Sequence, residues 1–470
     1  MSPKFQLFSL LLFHILFTST YTEIIFVFEQ FRHGARGSIF VLHPTDYVDN
    51  YQIPWYGNGE LSGIGMRQHY LIGVRSREKY KDMLSKTFDP REIYVVSTDQ
   101  NRTILSAQAQ LLGMFPPQSG IELTEEEIKM ALPPNNITQE MKDEIKRLSS
   151  NALPEKIQLI PIHLFNQEDK KYYTLTEASE CPTMKHIKEV YEHKKIVTDF
   201  IEEFNRTYGI HLMKLLKKNN TDFLFSYFNM LGITDHFIAN YAHRKNLTKI
   251  EQSGIPLKEF LQKCKDFKKI SLFEVESDPD IGVMAMSPTM MKLLKWMDNR
   301  IHIDITGQKI KDEKNPKYVM YSGHDFTIVP TEQFLNKAFG TTTHYPEFAA
   351  NQFFELHRMD NIPKKELNAS HYYVEYYYND VLELNVTYTE FKRRVSEIAW
   401  SMDRINSFCQ IQQEDLYTYC LYFILILSLL IIVIKIRRQS FHQQKKVSQE
   451  LDDYSTSTYE NDESLIVKNK

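Results

Sequence analysis

The chain is 470 residues long, with 56 Lys and Arg against 60 Asp and Glu, a formal net charge of −4 and four cysteines. Near-balanced charge without a long basic stripe excludes nucleic acid as an expected partner, and so few cysteines exclude a disulfide-built scaffold. With the two ends set aside, about 390 residues remain, enough for one large core with an inserted region.

Residues 1–22 carry one charge, Lys4, then an apolar run over 5–17 and the small polar set Thr18, Ser19 and Thr20. That order predicts a secretory signal peptide. Residues 24–31 read as a buried strand that breaks into Arg32, His33, Gly34, Ala35, Arg36 and Gly37. Gly57, Gly59, Gly63 and Gly65 then surround the start of a helix running to the neighbourhood of Tyr80. Residues 92–97 are a second strand, followed by a helix over 100–112 that Pro116 and Pro117 end, because proline cannot donate to the helical ladder. Strand, helix, strand, helix predicts an α/β fold with a mostly parallel central sheet flanked by helices.

Residues 159–165 form a further apolar segment, interrupted by Pro161. From Thr183 to Ile270 the pattern turns charged and helical, with Lys and Glu among Ile, Leu, Phe and Tyr, and predicts a smaller, mostly helical cap. A core-type helix resumes over 290–297, and a strand at 319–321 delivers Ser322, Gly323, His324 and Asp325. Residues 373–384, broken by Asn379 and Asp380, read as a hairpin, and 392–400 as a last short helix. Residues 420–434 contain no charge; with 416–419 and Ile436 they give about 21 residues, enough at 1.5 Å per residue for a transmembrane helix. Lys435, Arg437 and Arg438 follow, which would hold a polar, disordered tail in the cytosol. The expected organisation is a signal peptide (1–22), the first part of an α/β core (23–130), a helical cap (131–289), the second part of the core (290–410), a membrane span (416–436) and a cytoplasmic tail (437–470).

Three of these segments place polar groups at strand ends: the one around His33, the one from Ser97 to Arg102, and His324 with Asp325. Ligands of parallel α/β sheets bind outside the carboxyl ends of the strands, so the three should meet at one rim. Any one alone has a bland reading: solvated arginines, a charge at a helix start, or a structural hydrogen bond. Their convergence is what points to chemistry. Arg32, Arg36 and Arg102 offer planar forks that suit phosphate oxygens and can follow charge during phosphoryl transfer. Gly34 lets the backbone approach closely. Nearby guanidiniums disfavour imidazolium, which leaves His33 neutral and nucleophilic. Asp325, beside His324, could protonate a leaving alkoxide. No HExxH, cysteine pair, Walker A loop or serine elbow occurs, which predicts chemistry without a metal or other cofactor. His163 and His357 sit among apolar or aromatic neighbours and read as packing residues, and His69 as one face of a helix.

On these segments the chain resembles the histidine acid phosphatase family, especially its lysosomal and prostatic type. Residues 32–36 look like that family's Arg-His-Gly-x-Arg-x-Pro signature, Ser97 to Ala107 like its second motif, and 322–325 like its C-terminal motif. The likeness continues through residues 61–69, 115–117 and 161–163, and covers most of residues 24–410. The resemblance implies His33 as the phosphate-accepting nucleophile, Arg32, Arg36, Arg102 and His324 as phosphate ligands, and Asp325 as the leaving-group acid. It implies hydrolysis of phosphomonoester substrates at acid pH and a two-domain fold, often as a homodimer. Ser38 stands where the signature has proline, which loosens the turn but removes no catalytic atom. By position, Cys181 looks like the disulfide partner of Cys409; the rival is Cys181 with Cys264.

Glycosylation is expected at Asn136, Asn205, Asn219, Asn246, Asn368 and Asn385. Asn101 is expected to stay unmodified, because a glycan beside Arg102 would obstruct the pocket. Two other readings compete with a general phosphatase: an inositol-phosphate (phytase-like) enzyme using Arg67 or Arg75, and a catalytically inactive membrane receptor or adhesion module. Signal and anchor together predict a single-pass type I membrane protein with a luminal or extracellular catalytic domain. The tail does not distinguish the lysosome from the cell surface.

Overall fold

The computed structural model describes residues 22–40, 42, 57–134, 136–165, 181–217, 226–243, 245, 247–276, 279–311, 313–409 and 416–463. Residues 1–21 of the expected signal peptide and the sequons at Asn219 and Asn246 lie outside them. The chain divides into two compact units, residues 1–405 and 406–470.

In the first unit, seven strands form one sheet: β1 (Thr22–Arg32), β2 (Ile93–Ser97), β3 (His163–Leu164), β4 (Tyr318–Gly323), β5 (Asn351–Met359), β6 (Tyr372–Tyr378) and β7 (Val381–Thr387). Their order is β3-β2-β4-β1-β5-β6-β7. β3, β2, β4 and β1 run parallel, while β1 with β5, β5 with β6 and β6 with β7 are antiparallel. The expected mostly parallel sheet is therefore corrected to a mixed one. Its cause lies after the Asp325–Phe339 helix, where the chain returns to the rim before starting β5. There the Ala349 amide donates to the His33 carbonyl at 3.1 Å, so β5 runs back down beside β1. The expected hairpin forms between β6 and β7, with positive φ at both turn residues, Asn379 (45°) and Asp380 (66°), as a tight primed turn demands.

β1 is apolar over five successive residues, 24–28, because both of its faces are covered. Phe26 and Phe28 join Val319, Tyr321, Phe354 and Leu356 under the Pro279–Thr306 helix. Val27 and Phe31 join Val95, Met320 and Phe353 under Ala107, Leu111 and Met114 of the Asn101–Met114 helix. The helical insert over 182–276 has a core of its own, including Val197, Phe204, Met230, Phe237 and Phe260.

The second unit corrects the membrane expectation. Leu416–Glu463 is one helix, yet among the described residues no helix is long and apolar enough to cross a membrane. Lys435, Arg437 and Arg438 follow directly on its uncharged stretch. The segment expected to be a disordered tail continues this helix, with side chains exposed through residue 449.

Cys181 and Cys409 are each disulfide-bonded, and Cys264 is a buried free thiol, so the rival pairing with Cys264 is not formed. Asn136, Asn368 and Asn385 are exposed. Asn205 is only 7% exposed, which disfavours a bulky glycan there.

Candidate active site

β1, β2 and β4 end at one rim, where Phe31 and Ser97 both stand in register with Ser322. Beyond that register the His33 amide donates to the Gly323 carbonyl at 3.0 Å, and the Thr98 amide to the Ser322 carbonyl at 3.2 Å. The three segments singled out in the sequence therefore converge. Gly34 is needed for the approach: a Cβ there would lie 2.5 Å from the Gly65 carbonyl oxygen, at the start of the Gly63–Lys79 helix.

Arg32, His33, Arg36, His324 and Asp325 are all buried at this rim. His33 and His324 meet edge-to-face, ring centres 5.5 Å apart. Arg32 Nη2 lies 3.1 Å from Asp325 Oδ2, and Arg32 Nη1 donates to the Pro346 carbonyl at 2.6 Å. Phe348 backs the cluster, its ring centre 4.4 Å from the Arg32 guanidinium carbon. Arg36 Nη2 donates to Asp235 Oδ1 at 2.7 Å. Asp235 Oδ2 also accepts from the Ser38 hydroxyl at 3.0 Å and the Ile39 amide at 2.7 Å. Ser38, the departure from the signature, thus joins the turn to a carboxylate of the helical insert. Arg102 stands at the start of the Asn101–Met114 helix, within 3.3 Å of Gln100 Oε1. The Nε donors of Arg32, Arg36 and Arg102 are each buried without a hydrogen-bond partner among the described residues. Buried donors are normally paired, and three unpaired guanidinium edges at one rim suit an anion.

The protonation states follow from the surroundings. Burial, then Arg32 and Arg36, hold the His33 ring well below its ordinary pKa, so it is neutral. Its Nδ1 lies 2.9 Å from the Gly34 carbonyl oxygen. A carbonyl only accepts, so Nδ1 carries the proton and Nε2 keeps its lone pair. Burial, then Arg102, lower His324 to about 3, and its Nε2 sits 2.9 Å from the Thr98 hydroxyl. Burial alone would raise Asp325, but Arg32 and then Lys268 hold it well below the carboxylate range. Burial lowers Arg102 to about 10, so it stays charged at neutral and acid pH.

Several residues of the site escaped sequence reasoning. Asp235 and Lys268, whose Nζ is 3.8 Å from Asp325 Oδ2, come from the insert, and nothing in their local sequence marks them. His69, read as one face of a helix, is fully buried, its Nε2 3.1 Å from the Arg32 carbonyl oxygen. A signal existed: Gly65, His69, Gly73 and Ser76 share the buried face of their helix, and a histidine among small residues there needs a polar partner. Asn101 is exposed and lies 3.2 Å from Glu60 Oε1. His163 is exposed on β3 beside Tyr94. Arg75 is engaged with Asp380 of the β6–β7 turn, and Arg67 lines an exposed groove between two helices.

A model of the histidine phosphatase superfamily (branch 2) matches residues 17–379. The lysosomal acid phosphatase of Xenopus laevis is 24% identical over 339 residues, covering 72% of this chain and 67% of the relative. The prostatic acid phosphatase of Bos taurus is 24% identical over 360 residues, covering 76% and 78%. Among solved structures, Hafnia alvei phytase in complex with tartrate shares the fold with a TM-score of 0.51 at 13% identity, covering 81% of this chain and 98% of that one.

Proposed function

The chain belongs to the histidine acid phosphatase family, in branch 2 of the histidine phosphatase superfamily, and from that premise we propose a two-step phosphomonoester hydrolysis centred on His33. The observation that carries this reading is the neutral His33 ring, its Nδ1 proton on the Gly34 carbonyl, among three arginines with unpaired Nε donors. Arg32, Arg36 and Arg102 hold the phosphoryl oxygens, and His324 donates a further hydrogen bond. His33 Nε2 attacks phosphorus, forming the N–P bond as the P–O bond to the leaving group breaks. Water then cleaves the phosphohistidine, with Asp325 taking its proton.

The leaving oxygen needs a proton in the first step, and Asp325 beside Arg32 is a carboxylate in the free protein. The substrate supplies it. A phosphate monoester loses its second proton near pH 6, so at acid pH the monoanion brings the proton that Asp325 lacks. Phosphate oxygens that share Arg32 also weaken its hold on the carboxylate and raise its affinity for that proton. This accounts for an acid optimum, and it favours an acidic luminal compartment such as the lysosome named in two relatives. Arg75 and Arg67 stand where they do not add to the rim, so no observation favours an inositol polyphosphate over a simple monoester. The test is rapid-quench labelling with a radioactive aryl phosphate at acid pH. An alkali-stable, acid-labile adduct on His33, blocked by vanadate, is expected; full turnover by His33→Ala would overturn the mechanism.

A further inference from the structure

We infer that Glu355, His357 and Glu375 form a zinc site at the end of the sheet opposite the catalytic rim. Glu355 and His357 stand two apart on β5, on one face, and Glu375 faces Glu355 across the β5–β6 ladder. Glu355 is in register with Val27 and His357 with Ile24. The cluster therefore lies roughly 17–27 Å down β1 from Arg32, at about 3.4 Å per residue.

The three ligand atoms converge on one point. His357 Nε2 lies 3.2 Å from Glu355 Oε2 and 3.3 Å from Glu375 Oε2, and all three atoms lie within 4.8 Å of one another. A tetrahedral zinc with ligand bonds of about 2.0–2.1 Å has ligand–ligand edges of about 3.3 Å. The Nε2 proton now occupies the centre, and a metal would replace it. Both carboxylates are already oriented by neighbours outside the cluster, as metal sites require. Glu355 Oε1 takes the Tyr80 hydroxyl at 2.6 Å and Lys79 Nζ at 2.5 Å. Glu375 takes the Tyr377 hydroxyl at 2.6 Å on Oε2 and the Asn385 amide at 2.9 Å on Oε1. The His357 ring is stacked on Tyr373, ring centres 4.8 Å apart. One imidazole with two carboxylates suits zinc, whereas calcium and magnesium prefer all-oxygen shells.

The test uses the full, tag-free chain stripped with a chelator and titrated with zinc at neutral pH against a chromogenic chelator, with thermal unfolding alongside. One equivalent should bind in the micromolar range or tighter and raise the unfolding temperature. His357→Ala and, at the more exposed position, Glu375→Gln should each weaken zinc by more than about 100-fold with phosphatase activity intact. Cobalt(II) bound to the same site should give tetrahedral-intensity visible absorption that His357→Ala abolishes. Millimolar or absent zinc binding by the unaltered chain, or affinity retained in Glu375→Gln, would overturn the assignment.

Discussion

Two clusters of buried charge sit on the same sheet and differ in how their hydrogen bonds are filled. At the rim the cations are in excess: Arg32, Arg36 and Arg102 each keep an Nε donor without a partner among the described residues. Deeper, under the Gly63–Lys79 and Asn101–Met114 helices, the carboxylates are in excess, yet each oxygen is met. Glu29 has the Gln110 amide at 2.6 Å and the Tyr318 hydroxyl at 2.5 Å. Glu355 has Tyr80, Lys79 and His357. Burial of charge by itself therefore does not mark an anion-binding site. A set of buried donors with no acceptor does, because leaving them unmade is costly unless a ligand completes them.

That contrast is broken most decisively at His33. His33→Ala, with folding verified by circular dichroism, should lower turnover of an aryl phosphate by more than about 10⁴-fold. Asp325→Asn should slow alkyl phosphates by about 10³-fold, because their alkoxides need a proton, while aryl phosphates stay much closer to the unaltered rate. Equal losses on both classes would remove Asp325 as the leaving-group acid. Arg32→Ala should cost about 10²–10³-fold, the range for one lost charge-stabilising group. Asp235→Asn loosens Arg36 and the Ser38 turn together, and should raise KM about tenfold with a smaller change in kcat. A Glu355→Gln change in the satisfied layer should leave all of these constants unmoved.

The rim was legible in sequence because its residues come in short runs at strand ends: 32–36, 97–102 and 322–325 each carry their geometry locally. β1, β2 and β4, and the hairpin at Asn379 and Asp380, were legible for the same reason. What was hidden depends on contacts between distant segments. The direction of β5 is set by the return of the chain to the rim before Asn351, which no periodicity encodes. Asp235 and Lys268 reach the site from helices whose own faces look ordinary. Glu29 sits in an apolar strand where its role depends on Gln110 and Tyr318, 81 and 289 residues away. The span expected at 416–436 rested on counting apolar residues, yet among the described residues no helix is long and apolar enough to cross a membrane.

The smallest effect on catalysis, but the sharpest on stability, is expected at Glu29. Burial raises its carboxyl to about 7 from an ordinary 4.5. Burial lowers His69 to about 4 from an ordinary 6.5. Gln110 bridges the two, 2.6 Å from Glu29 Oε1 and 2.9 Å from His69 Nδ1. The Gln110 amide donates to Glu29 Oε1, the Gln110 carbonyl oxygen accepts from the His69 Nδ1 side, and His69 Nε2 faces the Arg32 carbonyl. A folded-state pKa raised above the unfolded value means the fold holds the proton more tightly. The Glu29 contribution is therefore fully present below pH 4.5 and is lost as pH rises to about 7, a change of about 3 kcal/mol for a shift of this size. His69 and His324 have the opposite sign. Their pKa values are depressed, so their contribution is present above pH 6.5 and is lost as pH falls towards about 4 and about 3 respectively. The carboxylate layer thus offsets, in acid, what the histidines at and behind the rim cost. Glu29→Gln removes the offset while leaving an amide that can hydrogen-bond. Its denaturation midpoint should fall more steeply than that of the unaltered chain as pH drops from 7 to 4.5, and should match or exceed it above pH 7. Parallel profiles for the two proteins would show that Glu29 does not titrate in this window, and that the two clusters do not balance each other.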